Sequence, residues 1–478
     1  MIRGKNIGKY RIAFICTALL LAVCFSGCGN TKEDDVITLR VSNWEEYIDE
    51  GDWDEAVELD DGTEIIGENS IVDDFEDWYY ETYGQRVKVE YSTYGTNEEL
   101  YNQITIGDVY DLVCPSEYMI EKLLREGMLV PFSEDFCDEG IEENYYKKGV
   151  SPYIDSVFKN MYEGDDRVSD YAAGYMWGTM GIVYNPEEIS KEDASHWDVI
   201  LNKDYFRRVT IKDSVRDSFF PAIAIEYYDE ITTDDFVNSP DYHERLSQVL
   251  NRTDEATIKG AEAILSRAKD NVYSFETDAG KADLVTGKVV ANVQWSGDAV
   301  YTLDQAEEDG VELCYVIPEE ATNLWFDGWV MLKDGLSEDA RKQQAAEAFV
   351  NFISRPDNAI RNMNYIGYTS VISGGGSDMM FNYLKYCYAD EGEDTVLYND
   401  IGYFFEADTA KANEKYSLFT TSDQLERQLS AQYPPRSVID RAVVMACFDD
   451  ESNERINRAW TNIRCFDIDK LFDYIYVP

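Results

Sequence analysis

Ile37, Leu39 and Val41 alternate with polar residues, the two-residue period of a half-buried strand. Ile71, Val72, Phe75, Trp78 and Tyr79 then recur at helical spacing, and Gly84 supplies a stop. Val87, Val89 and Tyr91 predict a second strand, and Leu100 and Ile104 a helix that closes at Gly107. Leu112 to Cys114 reads as a third strand. Met119, Ile120, Leu123 and Leu124 form the next helical stripe, closed by Gly127. This alternation predicts an α/β region with a mostly parallel sheet and helices on both faces.

Open sheets of that kind bind ligands beyond the carboxyl ends of their strands. Here those ends deliver Asn43-Trp44-Glu45-Glu46-Tyr47, then Ser92-Thr93-Tyr94, then Pro115-Ser116-Glu117-Tyr118. One edge therefore collects aromatic rings, hydroxyls and carboxylates.

Residues 49–69 interrupt the first strand-to-helix connection, beyond the usual length of such loops, and are expected to be a surface excursion. A second α/β region is expected from about 149 to 325. Val209-Thr210-Ile211 and Val289 to Trp295 are its strand candidates, and Ile258 to Ala268 is helical. Residues 340–354 form an amphipathic helix through Ala345, Ala348, Phe349, Phe352 and Ile353, ending before Pro356. Gly374-Gly375-Gly376 marks a loop; without a following Gly-Lys-Ser/Thr it is no phosphate cradle.

The 478 residues, 44% of them apolar, can bury a substantial core in two or three domains. A formal charge of −52 argues against nucleic acid as a partner, because phosphate binding needs Lys/Arg patches. The acidity serves chiefly solubility, since salt screens fields beyond ~8 Å.

Residues 1–27 have the form of a signal peptide. Arg3, Lys5, Lys9 and Arg11 precede an apolar run from Ile12 to Phe25, too short for a membrane span. Ser26-Gly27-Cys28 resembles a lipobox, which makes Cys28 the expected lipidated residue and 28–35 a tether. Six cysteines remain beyond Cys16, Cys24 and Cys28; they show no C-x-x-C spacing, and no bridge is assigned.

With two histidines, no H-E-x-x-H, no G-x-S-x-G and no P-loop, zinc-protease, serine-hydrolase and NTPase readings are disfavoured, while so acidic a chain leaves a glycosidase with paired carboxylates open; the expectation is that the chain is not an enzyme. No metal and no cofactor are expected. Trp44, Trp295, Trp325 and Trp329 each suit a core, but three of them have a nearby carboxylate. Trp44 is two residues from Glu46, Trp325 two from Asp327, and Trp295 precedes Ser296-Gly297-Asp298. An indole face attracts an organic ammonium ion, and a carboxylate neutralises it.

At these residues the chain resembles the spermidine/putrescine-binding proteins of polyamine ABC importers. The resemblance covers most of 37–371. It rests on Asn43-Trp44-Glu45-Glu46-Tyr47, Tyr91-Ser92-Thr93-Tyr94 with Asn97-Glu98, and Tyr110 to Ser116. It continues through Tyr175-Met176-Trp177-Gly178, Trp325-Phe326-Asp327, Asn351 to Asp357 and Ile366-Gly367-Tyr368. The family fold is a two-lobed periplasmic-binding-protein-like fold (type II) with a hinge. It implies one lobe from 36–148 plus 326–371 and another from 149–325 plus 372–478.

The resemblance implies that Trp44, Glu46 and Tyr47 line the first-lobe wall of a polyamine slot. Ser116 and Tyr118 match its hydroxyl contacts, and Asp217 of Arg216-Asp217 an acidic anchor. Trp295, Trp325 and Asp327 match the aromatic box and its carboxylate, and Tyr368 a tyrosine after an Ile-Gly pair. Ser214 stands where the family often has an acid, which would weaken preference for a triamine. A polar ligand residue that the family supplies near its C-terminus has no evident counterpart. The implied protein is a monomeric, lipid-anchored, extracytoplasmic receptor that passes putrescine or spermidine to ABC permease subunits and their ATPase. The alternative is a receptor of the same fold for another organic cation or a sugar.

Overall fold

The computed structural model describes residues 36–464 apart from Glu338 and Asp408. The expected signal peptide, the tether and Cys28 lie outside the described residues.

The first region follows the alternation seen in the sequence. Strand β1 (Ile37–Trp44) leads through the 49–69 segment to helix α1 (Ile71–Tyr83). The Ser70 side chain accepts the Asp73 N–H at the start of α1, and Gly84 ends it at φ 66°. Then follow β2 (Val87–Tyr94), α2 (Asn97–Ile106), the short β3 (Leu112–Val113) and α3 (Glu117–Arg125). β1 pairs in parallel with both β2 and β3.

The chain crosses to the second region through β4 (Ala172–Tyr184), thirteen residues buried along their whole length. There it forms β5 (Val209–Lys212), α4 (Val215–Glu226), α5 (Glu255–Asn271), β6 (Ser274–Glu276), β7 (Ala291–Trp295) and α6 (Ser296–Glu308). β5 pairs in parallel with β6 and β7. The return is β8 (Thr322–Leu332), also fully buried and antiparallel to β4. The strand order is β6-β5-β7-β4-β8-β3-β1-β2. Two parallel three-stranded units are thus joined by two long central strands. Helices α7 (Arg341–Ile353) and α8 (Pro356–Ile366) follow, and Pro356 opens α8 at its first position, where its missing N–H costs nothing.

Two expectations change. The 49–69 segment is anchored rather than a surface excursion. Its Val57, Leu59 and Ile65 join the core around β1, and its two-stranded hairpin sets Val57 opposite Ile65. Asp49, fully buried, pairs with Arg361 of α8 at 2.7 Å and accepts the Trp53 indole N–H. The predicted strand from Val289 begins at Ala291.

Residues beyond 372 divide between cores. Met380, Phe381, Tyr403, Phe404 and Tyr433 belong to the β1 core, and Phe404 stacks on Trp177 of β4 at 5.5 Å. The last described helix, α9 (Asp450–Arg464), buries Ile456 and Ile463 in the core around α4 and α5. Among the described residues the five cysteines are free thiols, and no helix is long and apolar enough to cross a membrane.

Candidate functional site

The site is built where the carboxyl ends of both parallel units meet the crossover strands. Asp327 lies on β8 just before a register shift at Asp327/Gly328. An isolated bridge joins it to Ser116, the N-cap of α3. Only 6% of Asp327 is exposed, yet among the described residues it has no cationic partner within ion-pair distance. It accepts the Tyr47 hydroxyl at 2.9 Å and the Ser116 hydroxyl at 2.7 Å. Burial drives its carboxyl up to about 6, and those two hydrogen bonds hold the rise back.

Asn97 fixes the hydroxyls. Its amide donates to Ser116 Oγ at 3.1 Å and to the Tyr118 oxygen at 2.9 Å, and its carbonyl accepts the Ser116 N–H. Tyr118 is half-buried, and the Arg216 guanidinium lies 5.0 Å from its ring centre.

Four rings cluster near Asp327. Tyr47 meets Tyr175 and Tyr368 edge-on, at 5.5 and 5.1 Å. Trp325 and Tyr368 lie 5.7 Å apart, and the Trp325 indole donates to Thr179 O at 3.1 Å. Trp325 needs Gly178 beneath it, because a Cβ there would collide with the indole and with Ser296.

The second unit supplies the other wall. Trp295 ends β7 and caps α6, and its indole N–H donates to Asp217 Oδ1 at 3.1 Å. Asp217 sits in the first turn of α4, 7% exposed and without an ion pair among the described residues. Ser214 is the N-cap of that helix and accepts the Asp217 N–H. Asp298, in the first turn of α6, is differently placed. It accepts from Lys212 at 3.1 Å and from the Tyr368 hydroxyl at 3.0 Å, and Lys281 lies 3.5 Å away. Burial opposes its charge, but Lys212 and Lys281 together hold the carboxyl below its ordinary range.

These contacts close into a ring. It runs from Asp217 through Trp295, Lys212, Asp298, Tyr368, Tyr47, Asp327, Ser116, Asn97 and Tyr118 to Arg216, which precedes Asp217. Of the expected residues, Tyr47, Ser116, Tyr118, Asp217, Trp295, Trp325, Asp327 and Tyr368 are brought together around it. Ser214 adjoins as a helix cap.

Trp44 and Glu46 make none of the contacts that close this ring. Trp44 is half-buried against Tyr94 at 4.9 Å, with its indole N–H buried and unpartnered. Glu46 is exposed at φ 54°. β1 ends at Trp44, so the two-residue alternation that would put Glu46 on the face of Trp44 has already lapsed.

Sequence reading did not single out Lys212, Lys281 or Asn97 as members. A lysine closing the otherwise uncharged, fully buried strand Val209-Thr210-Ile211-Lys212 was the available signal for the first. A separate surface cavity of about 140 Å³, lined by Ile104, Tyr110, Met128, Leu332 and Lys333 among others, involves none of the ring residues.

Two α/β units joined by crossover strands, with a ring of polar and aromatic side chains between them, define a two-lobed solute-binding protein. The bacterial extracellular solute-binding protein model matches residues 70–374, and the chain belongs to that family. The family is one of binding proteins rather than enzymes. A spermidine/putrescine-binding periplasmic protein of Salmonella typhimurium is 27% identical over 284 residues, 59% of this chain and 70% of the relative. The putrescine-binding periplasmic protein PotF of Escherichia coli is 25% identical over 298 residues, 59% of this chain and 71% of the relative. In fold, the chain is similar to the spermidine/putrescine ABC transporter substrate-binding protein PotD of Streptococcus pneumoniae. That match has a TM-score of 0.56 and 22% identity, and covers 90% of this chain and 99% of that one. The Tp0655 lipoprotein of Treponema pallidum matches with a TM-score of 0.57 and 17% identity, over 89% and 99% of the two chains. At these identities the structural likenesses establish the two-lobed fold.

Proposed function

We propose that the protein is the substrate-binding component of an ABC importer for polyamines, putrescine or spermidine. The observation that carries this reading is Asp327, a buried carboxylate with no cationic partner among the described residues, oriented by two hydroxyls beside aromatic rings. Such a group costs several kcal/mol unless a charge arrives to pair with it. Asp217 is a second buried carboxylate without an ion pair among the described residues, accepting the Trp295 indole N–H. An aliphatic diamine answers both, with its methylene chain against Trp295, Trp325 and Tyr368. Each good ring contact adds roughly 0.5–2 kcal/mol. A sugar would leave both charges unmatched. Glu46, on its exposed turn, contributes at most a screened attraction.

The names of the relatives support the same ligand class and an extracytoplasmic location. Lipidation at Cys28, handover to permease and ATPase subunits, a monomeric state and closure of the lobes about a hinge belong to this proposal. Calorimetry on the protein from residue 31 onward, stripped of bound ligand, tests it. Tight one-to-one binding of putrescine or spermidine is expected. No heat with either, from folded protein, would remove the polyamine reading and turn the search to other cations and sugars.

A further inference from the structure

Lys212 is an unusual neighbour for a site built to hold cations. Its side chain is almost fully buried at the end of β5. Its ammonium lies 4.3 Å from the centre of the Trp295 ring, donates to Asp298 at 3.1 Å and donates to Thr277 O at 2.9 Å. A π-face, a carboxylate and a carbonyl are the partners an amine ligand would seek.

We propose that Lys212 is a built-in cation occupying the subsite made by Asp298 and the Trp295 ring, so that the site takes ligands with two ammonium groups and discriminates against a third. This rests on the polyamine reading above and sets its specificity.

Charge counting supports it. Asp298 is matched by Lys212, and Lys281 is shared between Asp298 and Asp278, the latter at 2.6 Å. That group of two lysines and two aspartates is balanced without a ligand. Arg216 does not pair with Asp217; it donates to Ala446 O and packs on the rings of Tyr118 and Phe448. Among the described residues of the ring, Asp327 and Asp217 are buried without an ion pair; Glu117 beside them is also unpaired, but burial pushes its carboxyl well above the ordinary range and so favours its neutral form. Ser214, spent on capping α4, adds no third anion. A triamine would have to bury one ammonium beside Lys212 without a counter-charge, which is costly in a dry site.

The test is calorimetry of the wild type and of Lys212→Met with putrescine and with spermidine. Wild type is expected to bind putrescine at least tenfold more tightly than spermidine. Lys212→Met removes the nearer of the two lysines on Asp298, so spermidine affinity is expected to rise at least tenfold relative to putrescine affinity. The pair Lys212→Met with Asp298→Asn should lose the spermidine gain of the single variant, because the freed carboxylate is gone. Should the single variant not fold, a crystal structure of the wild-type putrescine complex decides. Lys212 Nζ should remain on Asp298, and a ligand nitrogen there overturns the proposal. Binding with an unchanged putrescine-to-spermidine ratio in Lys212→Met overturns this inference alone. Absence of heat with both ligands on wild type removes the polyamine reading and this inference with it.

Discussion

Tyr47 donates its hydroxyl to Asp327 at 2.9 Å across 280 positions of sequence, so a turn after β1 orients a carboxylate on a crossover strand. The bond preorganises the acceptor and stabilises its charged form. Burial, and then the charge of Asp327, push the Tyr47 phenol far above its ordinary range, so it remains a donor at any working pH. Tyr47→Phe leaves Asp327 with only Ser116. Hydrogen bonds to charged groups contribute roughly 1.5–3 kcal/mol. Putrescine affinity at pH 7 should therefore fall about tenfold or more, in calorimetry, with the far-ultraviolet spectrum unchanged. Unaltered affinity would remove Asp327 from the ligand.

The pH profile of binding follows from the same carboxyl. The ligand ammonium needs Asp327 ionised, and in the free protein that group titrates at about 6. Above this value affinity should be flat up to the ligand's own amine range. Below it a proton competes for the carboxylate, and affinity should fall about tenfold per pH unit. In Tyr47→Phe the break should move upward, because a bond that favours the charged form is gone. A profile flat down to pH 5 in the wild type would contradict the assignment.

Asp327→Asn separates function from stability. An acid whose folded pKa is raised from 3.8 to about 6 binds protons more tightly when folded, so its contribution to stability declines as pH rises through that window. At pH 7 the ionised Asp327 is a net cost to the ligand-free fold, of up to ~2–3 kcal/mol. Asparagine keeps the shape without the charge. The ligand-free variant should melt no lower than the wild type at pH 7, and higher if its amide satisfies both hydroxyls. Its putrescine affinity should fall by at least a hundredfold. Parallel melting and titration curves check both halves, and a large loss of stability would mark Asp327 as structural.

The legible parts of the fold were those with local signals. The β1–α1–β2–α2 alternation carries its own period, and its stops lie at Gly84 and Gly107. Trp325 and Asp327 share a face because β8 runs unbroken through both, and Trp295 falls where β7 ends. Glu46 is not placed by the strand period, because the strand stops two residues earlier and the backbone turns to positive φ. Lys212 and Asp298 are 86 positions apart, and neither has a local pattern that announces the other. The 49–69 segment looked like surface because it exceeds the usual length of a strand-to-helix connection. Its anchor, Arg361 to Asp49, spans 312 positions and leaves no periodic trace.

Glu121 yields a prediction away from the ligand. It lies on α3 of the first unit, and its carboxylate accepts the Cys447 N–H at 2.6 Å. Arg125 of the same helix donates to Phe448 O at 3.1 Å and Cys447 O at 3.3 Å, while Arg216 of the second unit donates to Ala446 O at 2.7 Å. Residues 446–448 therefore tie the two units together. Burial raises the Glu121 carboxyl to about 7, against the lowering effect of the Cys447 hydrogen bond. The folded pKa exceeds the unfolded one, so this group's contribution to stability is lost as pH rises from about 4.5 through 7. Glu121→Gln retains an oxygen for Cys447 and removes the titration. The wild type should lose up to ~2 kcal/mol more than the variant between pH 5.5 and 8, in denaturant melts of ligand-free protein. Identical pH dependence in the two proteins would show that Glu121 does not titrate in that range.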